Sequence, residues 1–97
     1  MKLARVTGTV EASVKDSSLT GKKLLLTDLI DGAGDVLVKA FVAVDACGAG
    51  VGDQVLVTFN SAARMPSGAA GAATDATIIA VVDRVTTAPQ TKKKRKS

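Results

Sequence analysis

Apolar and polar residues alternate with a period of two along much of this chain. The alternation is clearest over residues 4–14, where Ala, Val and Gly occupy every second position between polar residues. Such a pattern predicts a strand with one buried face. Comparable apolar segments occupy residues 23–30, 36–46, 54–59 and 77–85. The sequence therefore predicts five short strands.

The segments between these strands carry turn residues, such as D-G-A-G-D over residues 31–35. One short helical turn is predicted near residues 60–66, which Ser61 would cap and Pro66 would end. Five strands with tight turns favour a small all-β barrel, closed or nearly closed, because closure removes exposed strand edges. In the third strand the alternation predicts one face formed by Val36, Val38, Ala40, Val42, Val44 and Ala46.

Composition limits both the core and the chemistry of this protein. The chain has 97 residues, enough for one domain whose own core is only marginally sufficient, so oligomerisation would relieve it. Hydrophobic residues make up 46% but Phe41 and Phe59 are the only aromatics, so the core must be aliphatic. Without His, Trp or Tyr, the chain lacks the commonest general base and metal ligand. We expect no enzyme activity, no cofactor and no metal site.

The single cysteine, Cys47, cannot form an intrachain disulfide and has no His to activate it. We expect it to be buried as a small hydrophobic residue. The first residues lack the apolar region of a secretory signal, and no apolar run approaches the roughly 18 residues of a membrane span. These observations predict a soluble protein of a reducing cytosol.

Charge is concentrated at the end of the chain. Five of the 13 basic residues lie at 92–96, and without them eight basic residues face nine acidic ones. The net charge of +4 therefore describes residues 87–97, which have the composition of a disordered tail. Residues 67–73 predict an exposed, mobile loop. The tail is either a solubilising segment or a polyanion contact formed by Lys92, Lys93, Lys94, Arg95 and Lys96.

Three glycines, Gly48, Gly50 and Gly52, follow the third strand with the spacing G-x-G-x-G. The dinucleotide fingerprint is G-x-G-x-x-G, and no helix pattern follows here to bind a phosphate. The segment is therefore interpreted as a tight strand connection. Four aspartates lie at strand ends or turns without the spacing of a calcium loop, which favours backbone capping: Asp45, Asp53, Asp75 and Asp83.

Several motifs in this order resemble the EutN/CcmL family of bacterial microcompartment vertex proteins over residues 1–86. The motifs are A-R-V-T-G-T-V-E-A-S-V-K, L-T-G-K-K-L-L-L, V-A-V-D-A-C-G-A-G-V-G-D-Q-V-L-V, N-S-A-A-R and D-A-T-I-I-A-V-V-D-R-V. Asn60 stands where the family usually has Gly, Asp53 where it often has Glu, and Thr74 where it has Pro. Because Asn tolerates left-handed backbone and Asp keeps the charge, the resemblance implies the same fold.

The resemblance implies an OB-like, five-stranded barrel that forms a cyclic homopentamer. Such a pentamer caps the five-fold vertices of a shell in the bacterial cytoplasm and contacts hexameric and pseudohexameric shell proteins. We expect shell or inter-subunit contacts from Arg64 and Lys15. We expect subunit contacts or an axial position for Gly48, Ala49, Gly50, Gly52, Asn60 and Ser61.

Two other functions remain open at this point. An OB-like nucleic-acid-binding protein could use the basic tail, which could equally contact acidic cargo. Single-strand binders commonly stack bases on aromatic side chains, and this chain has only two, both within predicted strands. A small enzyme is disfavoured further, because no nucleophile and base are paired in the sequence.

Overall fold

A computed structural model of the chain describes residues 1–13, 15–66, 69 and 74–88. Its strands form a closed barrel in the order β1-β2-β3-β5-β4, which confirms the predicted all-β barrel. The strands are β1 (Lys2–Val10), β2 (Lys23–Ile30), β3 (Val36–Asp45), β4 (Gln54–Phe59) and β5 (Ala76–Val82).

All neighbouring strands pair antiparallel except β3 and β5, which pair parallel. The chain runs as a meander through β1, β2 and β3, and then crosses to β4, so that β5 lies between β3 and β4. The parallel junction consists of only two residue pairs, Val44 with Thr77 and Asp45 with Ile78. Barrel closure is therefore sparsest between β3 and β5.

The core is aliphatic, as the composition predicts. Phe41 and Phe59 are partly buried against it, with their ring centroids 5.7 Å apart. Both lie within strands, as expected. The buried cluster consists of Ala4, Val6, Leu25, Ala43, Ala49, Val55, Val57, Ala76 and Ile78.

The first and last strands are shorter than the alternation predicts. In β1 the pairing with β2 ends at Val10, which lies opposite Leu24. Ala12 is exposed, and Val14 lies outside the described residues. The last strand ends at Val82, which pairs with Gln54 of β4, and does not extend to residue 85. In both strands, the apolar–polar alternation of the sequence continues past the last residue that has a partner strand.

The single face predicted for β3 is interrupted by a bulge and is not uniformly buried. Ala40 has a left-handed φ of 59°, and its amide donates to Asp28 Oδ1 at 3.0 Å. The pairing with β2 shifts at this bulge, from Thr27 opposite Phe41 to Leu29 opposite Val38. On the predicted face, Val44 is buried and Ala46 is half-buried, whereas Val36, Val38, Ala40 and Val42 are exposed.

Two short 3-10 helices lie wholly within the described residues. The predicted helical turn is present over Asn60–Arg64, but Ser61 does not cap it: the N-cap is Phe59, without a side-chain hydrogen bond. The second spans Ser17–Leu19, where Asp16 accepts from Ser18, which lowers the pKa of Asp16. No helix in this part of the chain is long and apolar enough to cross a bilayer. Ala69 is buried, contrary to the predicted exposed loop, whose other residues lie outside the described ones.

Candidate assembly surface

Residues 46–53 connect β3 to β4 and are called the glycine turn here. Gly48 and Gly52 have left-handed φ angles of 84° and 94°, a conformation that disfavours any side chain. Gly50 does not have a positive φ. Backbone conformation therefore explains the glycines at positions 48 and 52, but it does not explain the glycine at position 50.

A buried carboxylate holds the first half of the glycine turn. Asp45 Oδ1 accepts hydrogen bonds from the amides of Cys47 and Gly48, each at 3.1 Å, and the Asp45 side chain is only 2% exposed. Lys23 Nζ lies 3.5 Å from Asp45 Oδ2 and donates to the Ala49 carbonyl at 2.5 Å. Charge-assisted bonds of this kind are the strong ones in proteins, so they fix the shape of the turn.

A second carboxylate holds the other half. Asp53 Oδ2 accepts from the Gly50 amide at 2.8 Å. Two backbone bonds with Val6 of β1, each 2.9 Å long, involve the Gly52 amide and the Asp53 carbonyl. The predicted capping role is confirmed for Asp45 and Asp53. Within the described residues, no group of acidic or Cys side chains could hold a metal ion.

Gly50 has room for a side chain within the protomer. A Cβ placed on it would lie 3.9 Å from Asp53 Oδ2, an ordinary contact. Neither its backbone conformation nor its surroundings in the protomer explain the absence of a side chain. The neighbouring Ala49 is fully buried in the core, so its methyl group is not available to another subunit, whereas Val51 is 63% exposed.

Cys47 is exposed, which makes its predicted burial wrong. Cys47 lies just beyond the end of β3, where its amide and its thiol both donate to Asp45 Oδ1, at 3.1 and 3.7 Å. Partial burial, together with the charge and hydrogen bonding of Asp45, raises the pKa of the Cys47 thiol. The thiol rather than the thiolate is therefore favoured at neutral pH.

The Asn60–Arg64 helix is called the arginine turn. Asn60 has a φ of 59°, and its amide donates to the Asp75 carbonyl at 2.8 Å. Ala63 is fully buried, and its carbonyl accepts a hydrogen bond from the Thr77 hydroxyl. Ser61 and Arg64 are exposed. The turn is thus anchored from the barrel side and presents its outer residues to solvent.

The two turns lie at opposite ends of β4, which is six residues long. At the usual rise per residue this separates them by about 20 Å. Lys15 lies in the connection between β1 and β2, at the end where Lys23 pairs with Asp45, and therefore on the side of the glycine turn. The structure does not bring the predicted contact residues together in one cluster.

Neither predicted shell-contact residue is engaged in an ion pair in the described part of the chain. Lys15 Nζ donates to the Ala12 carbonyl at 3.0 Å, and Arg64 is exposed. Both side chains are thus accessible to another protein. The basic residues 92–96 lie outside the described residues, so their polyanion contact stays a prediction.

Comparison with known proteins identifies the family. The sequence model of the family described as "Ethanolamine utilisation protein EutN/carboxysome" matches residues 1–83. The chain belongs to the EutN/CcmL family. It is 44% identical over 85 residues to the carboxysome shell vertex protein CcmL of Gloeobacter violaceus, covering 88% of this chain and 85% of the relative. It is 41% identical over 87 residues to the microcompartment shell vertex protein PduN of Salmonella typhimurium, covering 86% and 96%.

Solved structures of EutN/CcmL proteins have the same fold. The CcmL structure from Nostoc sp. PCC 7120 superimposes with a TM-score of 0.80 at 44% identity, covering 86% of this chain and 89% of that one. The pentameric microcompartment shell protein GrpN from Rhodospirillum rubrum superimposes with a TM-score of 0.81 at 35% identity, covering 91% and 100%. These relatives give the nucleic-acid-binding alternative no support.

The three departures from the family pattern each have a geometric explanation in this EutN/CcmL member. Asn60 adopts the left-handed conformation that Gly would otherwise supply. Asp53 retains a carboxylate that reaches the Gly50 amide. Thr74 bonds through its hydroxyl to the carbonyl and amide of Ala76, at 2.8 and 3.2 Å. The substitutions therefore preserve the local turns.

Proposed function

We propose that this protein is a structural subunit that forms a homopentamer and caps the five-fold vertices of a bacterial microcompartment shell. The observation that supports this most directly is the superposition on the pentameric shell protein GrpN over that chain's full length. Membership of a family that includes shell vertex proteins agrees with it. We propose further that the protein is not an enzyme, because this role needs no catalytic group.

The mechanism is geometric. A flat layer of hexamers cannot close into a polyhedron, and pentamers of matching edge length introduce the required curvature. A cyclic ring of identical subunits uses head-to-tail contacts, in which one surface of each protomer meets a different surface of the next. The outer rim of the ring then contacts hexameric shell proteins, and we assign Arg64 and Lys15 to contacts of this kind.

The glycine turn fits a role in such contacts. It is held by Asp45 and Asp53, so its shape is preformed in the protomer. Gly50 lacks a side chain although the protomer has room for a Cβ atom there. A neighbouring subunit packed against this position would explain that absence.

Native mass spectrometry of the purified protein tests the proposal. We expect a mass five times that of the 9.8 kDa chain, and closed shells in electron micrographs after mixing with a hexameric shell protein. A monomer, or a ring that leaves the hexamers as open sheets, would contradict it.

The role of Gly50 is tested by Gly50→Leu, which we expect to abolish the pentamer while leaving the protomer folded. Ala33→Leu serves as the control, because Ala33 is an exposed turn residue outside the predicted contacts and gains the same kind of side chain. A Gly50→Leu protein of unchanged pentameric mass would show that no neighbouring subunit packs closely against Gly50.

The basic tail needs a separate test. We expect a chain that ends at residue 91 to lose any salt-dependent binding to single-stranded DNA that the full chain shows. Tight binding by the truncated chain would instead favour the nucleic-acid alternative. Binding titrations at two salt concentrations distinguish these outcomes.

A further inference from the structure

The junction between β3 and β5 leaves part of a strand edge without a partner. Of the described strands, β5 pairs with β3 only at Val44 and Asp45. The edge of β3 from residue 36 to residue 43 that faces away from β2 therefore has none of the described strands beside it. Unpaired edges of this kind readily pair or pack with another chain.

An apolar groove opens beside this edge. It has a volume of about 450 Å³ and is called the seam groove here. Leu29, Val38, Phe41, Val42 and Phe59 supply its apolar lining. Val38 and Val42 remain 52% and 44% exposed. The groove is large enough for one or more apolar side chains of a partner.

The apolar surface continues beyond the groove. A smaller depression of about 190 Å³ contains Leu19, Leu24 and Val44 and shares Val42 with the seam groove. The two depressions thus adjoin through Val42 and Asp75, and most of the residues that line them are apolar. Connected regions of this kind on small proteins usually mark interaction sites.

We propose that the seam groove receives a neighbouring copy of this chain within the ring. This inference rests on the proposed pentamer, in which every protomer must present a receiving surface to the next. The two charged residues that line the groove, Lys2 and Asp75, have opposite signs, so the groove is close to neutral. Permanent subunit interfaces are of this predominantly apolar kind.

The seam groove is also continuous with the arginine turn. Asp75, which lines the groove, accepts the Asn60 amide through its carbonyl. A neighbouring subunit seated in the groove would therefore also reach Asn60 and Ser61, two of the predicted contact residues. A single subunit interface would then include both the seam groove and the arginine turn.

Thiol accessibility tests this assignment. Val38→Cys and Leu37→Cys are each made in a Cys47→Ala background, and maleimide labelling is followed at pH 7. Leu37 is the matched control, because it is the adjacent residue of β3, is 60% exposed and does not line the groove. We expect Val38→Cys to label at least about ten-fold more slowly than Leu37→Cys in rings of verified five-fold mass. Equal labelling rates in such rings would overturn the inference and leave the pentamer intact.

A charge substitution gives a second measurement. We expect Val38→Glu to convert the pentamer into folded monomers, with a circular dichroism spectrum like that of the unmodified protein, whereas Leu37→Glu remains pentameric. A pentameric Val38→Glu protein would contradict the assignment. If Val38→Glu does not fold, the labelling comparison decides. A mass for the unmodified chain other than five-fold would refute the proposed function itself, whatever the labelling rates.

Discussion

The glycine turn and the arginine turn are both parts of the family signature, but the protein holds them in different ways. In the glycine turn, two carboxylates and Lys23 bond to backbone atoms of the turn itself. In the arginine turn, backbone bonds and the buried Ala63 attach the segment to the barrel, and no side chain caps the helix. Side chains of β2, of β3 and of the turn itself hold the glycine turn, whereas the arginine turn is held mainly through its backbone, by bonds to Asp75 and to the Thr77 hydroxyl.

This difference separates residues that shape the protomer from residues that are free to contact other subunits. Asp45 and Gly48 have defined roles within the protomer, so substitution should lower its stability. Gly50 and Arg64 have no such role, so substitution should affect assembly alone. The comparison thus gives four experiments, ordered here by their expected effect on the free energy of unfolding.

Replacing Asp45 should have the largest effect. Asp45→Ala removes the largely buried carboxylate that accepts two amide bonds, and we expect a loss of about 2 kcal/mol, as for hydrogen bonds to charged groups. The half-exposed Lys23 adds little to this figure. Urea unfolding measures the loss, with Asp83→Ala, an exposed aspartate, as the control. A loss below that of the control would show that the carboxylate does not hold the turn.

Substituting Gly48 should be next in size. Gly48→Ala places a side chain at a φ of 84°, which we expect to cost about 1–2 kcal/mol. Gly50→Ala is the matched control, because that position has no positive φ, and it should remain within about 0.5 kcal/mol of the unmodified protein. Urea unfolding of both variants provides the comparison. Equal losses would contradict the separation of the two glycines.

Asn60 should show a smaller effect in the arginine turn. We expect Asn60→Ala to cost about 1 kcal/mol, because Ala tolerates left-handed backbone less well than Asn does. Asn60→Gly should lie within about 0.5 kcal/mol of the unmodified protein. Thermal unfolding of the two variants, followed by circular dichroism, tests this order. An Asn60→Gly variant less stable than Asn60→Ala would show that the Asn side chain itself stabilises the turn.

Arg64 should leave stability almost unchanged. It is exposed and forms no ion pair in the described part of the chain, so Arg64→Ala should shift the free energy of unfolding by less than about 0.5 kcal/mol. We nevertheless expect it to reduce shell closure in the mixture with hexamers. Arg84→Ala, another exposed arginine, is the control. Normal shell closure by the Arg64→Ala protein would show that Arg64 is not needed for the contact with hexamers.

Much of the barrel could be predicted from the sequence, because alternation and turn residues are local signals. Two of the five strands, β2 and β4, begin and end at the predicted residues. The face of β3 could not be predicted, since the bulge at Ala40 depends on its bond to Asp28 of a neighbouring strand. Neither residue shows that partnership in its own surroundings in the sequence.

The candidate surface was predictable in its residues but not in its arrangement. The motif alone indicates the two turns, and Asn60 adopts the backbone that its substitution for Gly predicts. The burial of Ala49 and the exposure of Cys47 are instead not indicated by any local pattern in the sequence. The seam groove depends on where β3 and β5 separate, and no local sequence pattern predicts that point.

The two-pair junction between β3 and β5 also bears on the order of folding. The meander from β1 to β3 joins strands that are neighbours in sequence, whereas closure joins Val44 to Thr77 across the whole of β4. Distant pairings carry the larger loop entropy, so we expect the meander to form before the junction closes. Higher φ-values for Leu25→Ala than for Ile78→Val would show this order, and the reverse would contradict it. During synthesis, the strand edges at this junction would therefore be the last to be protected from pairing with neighbouring chains.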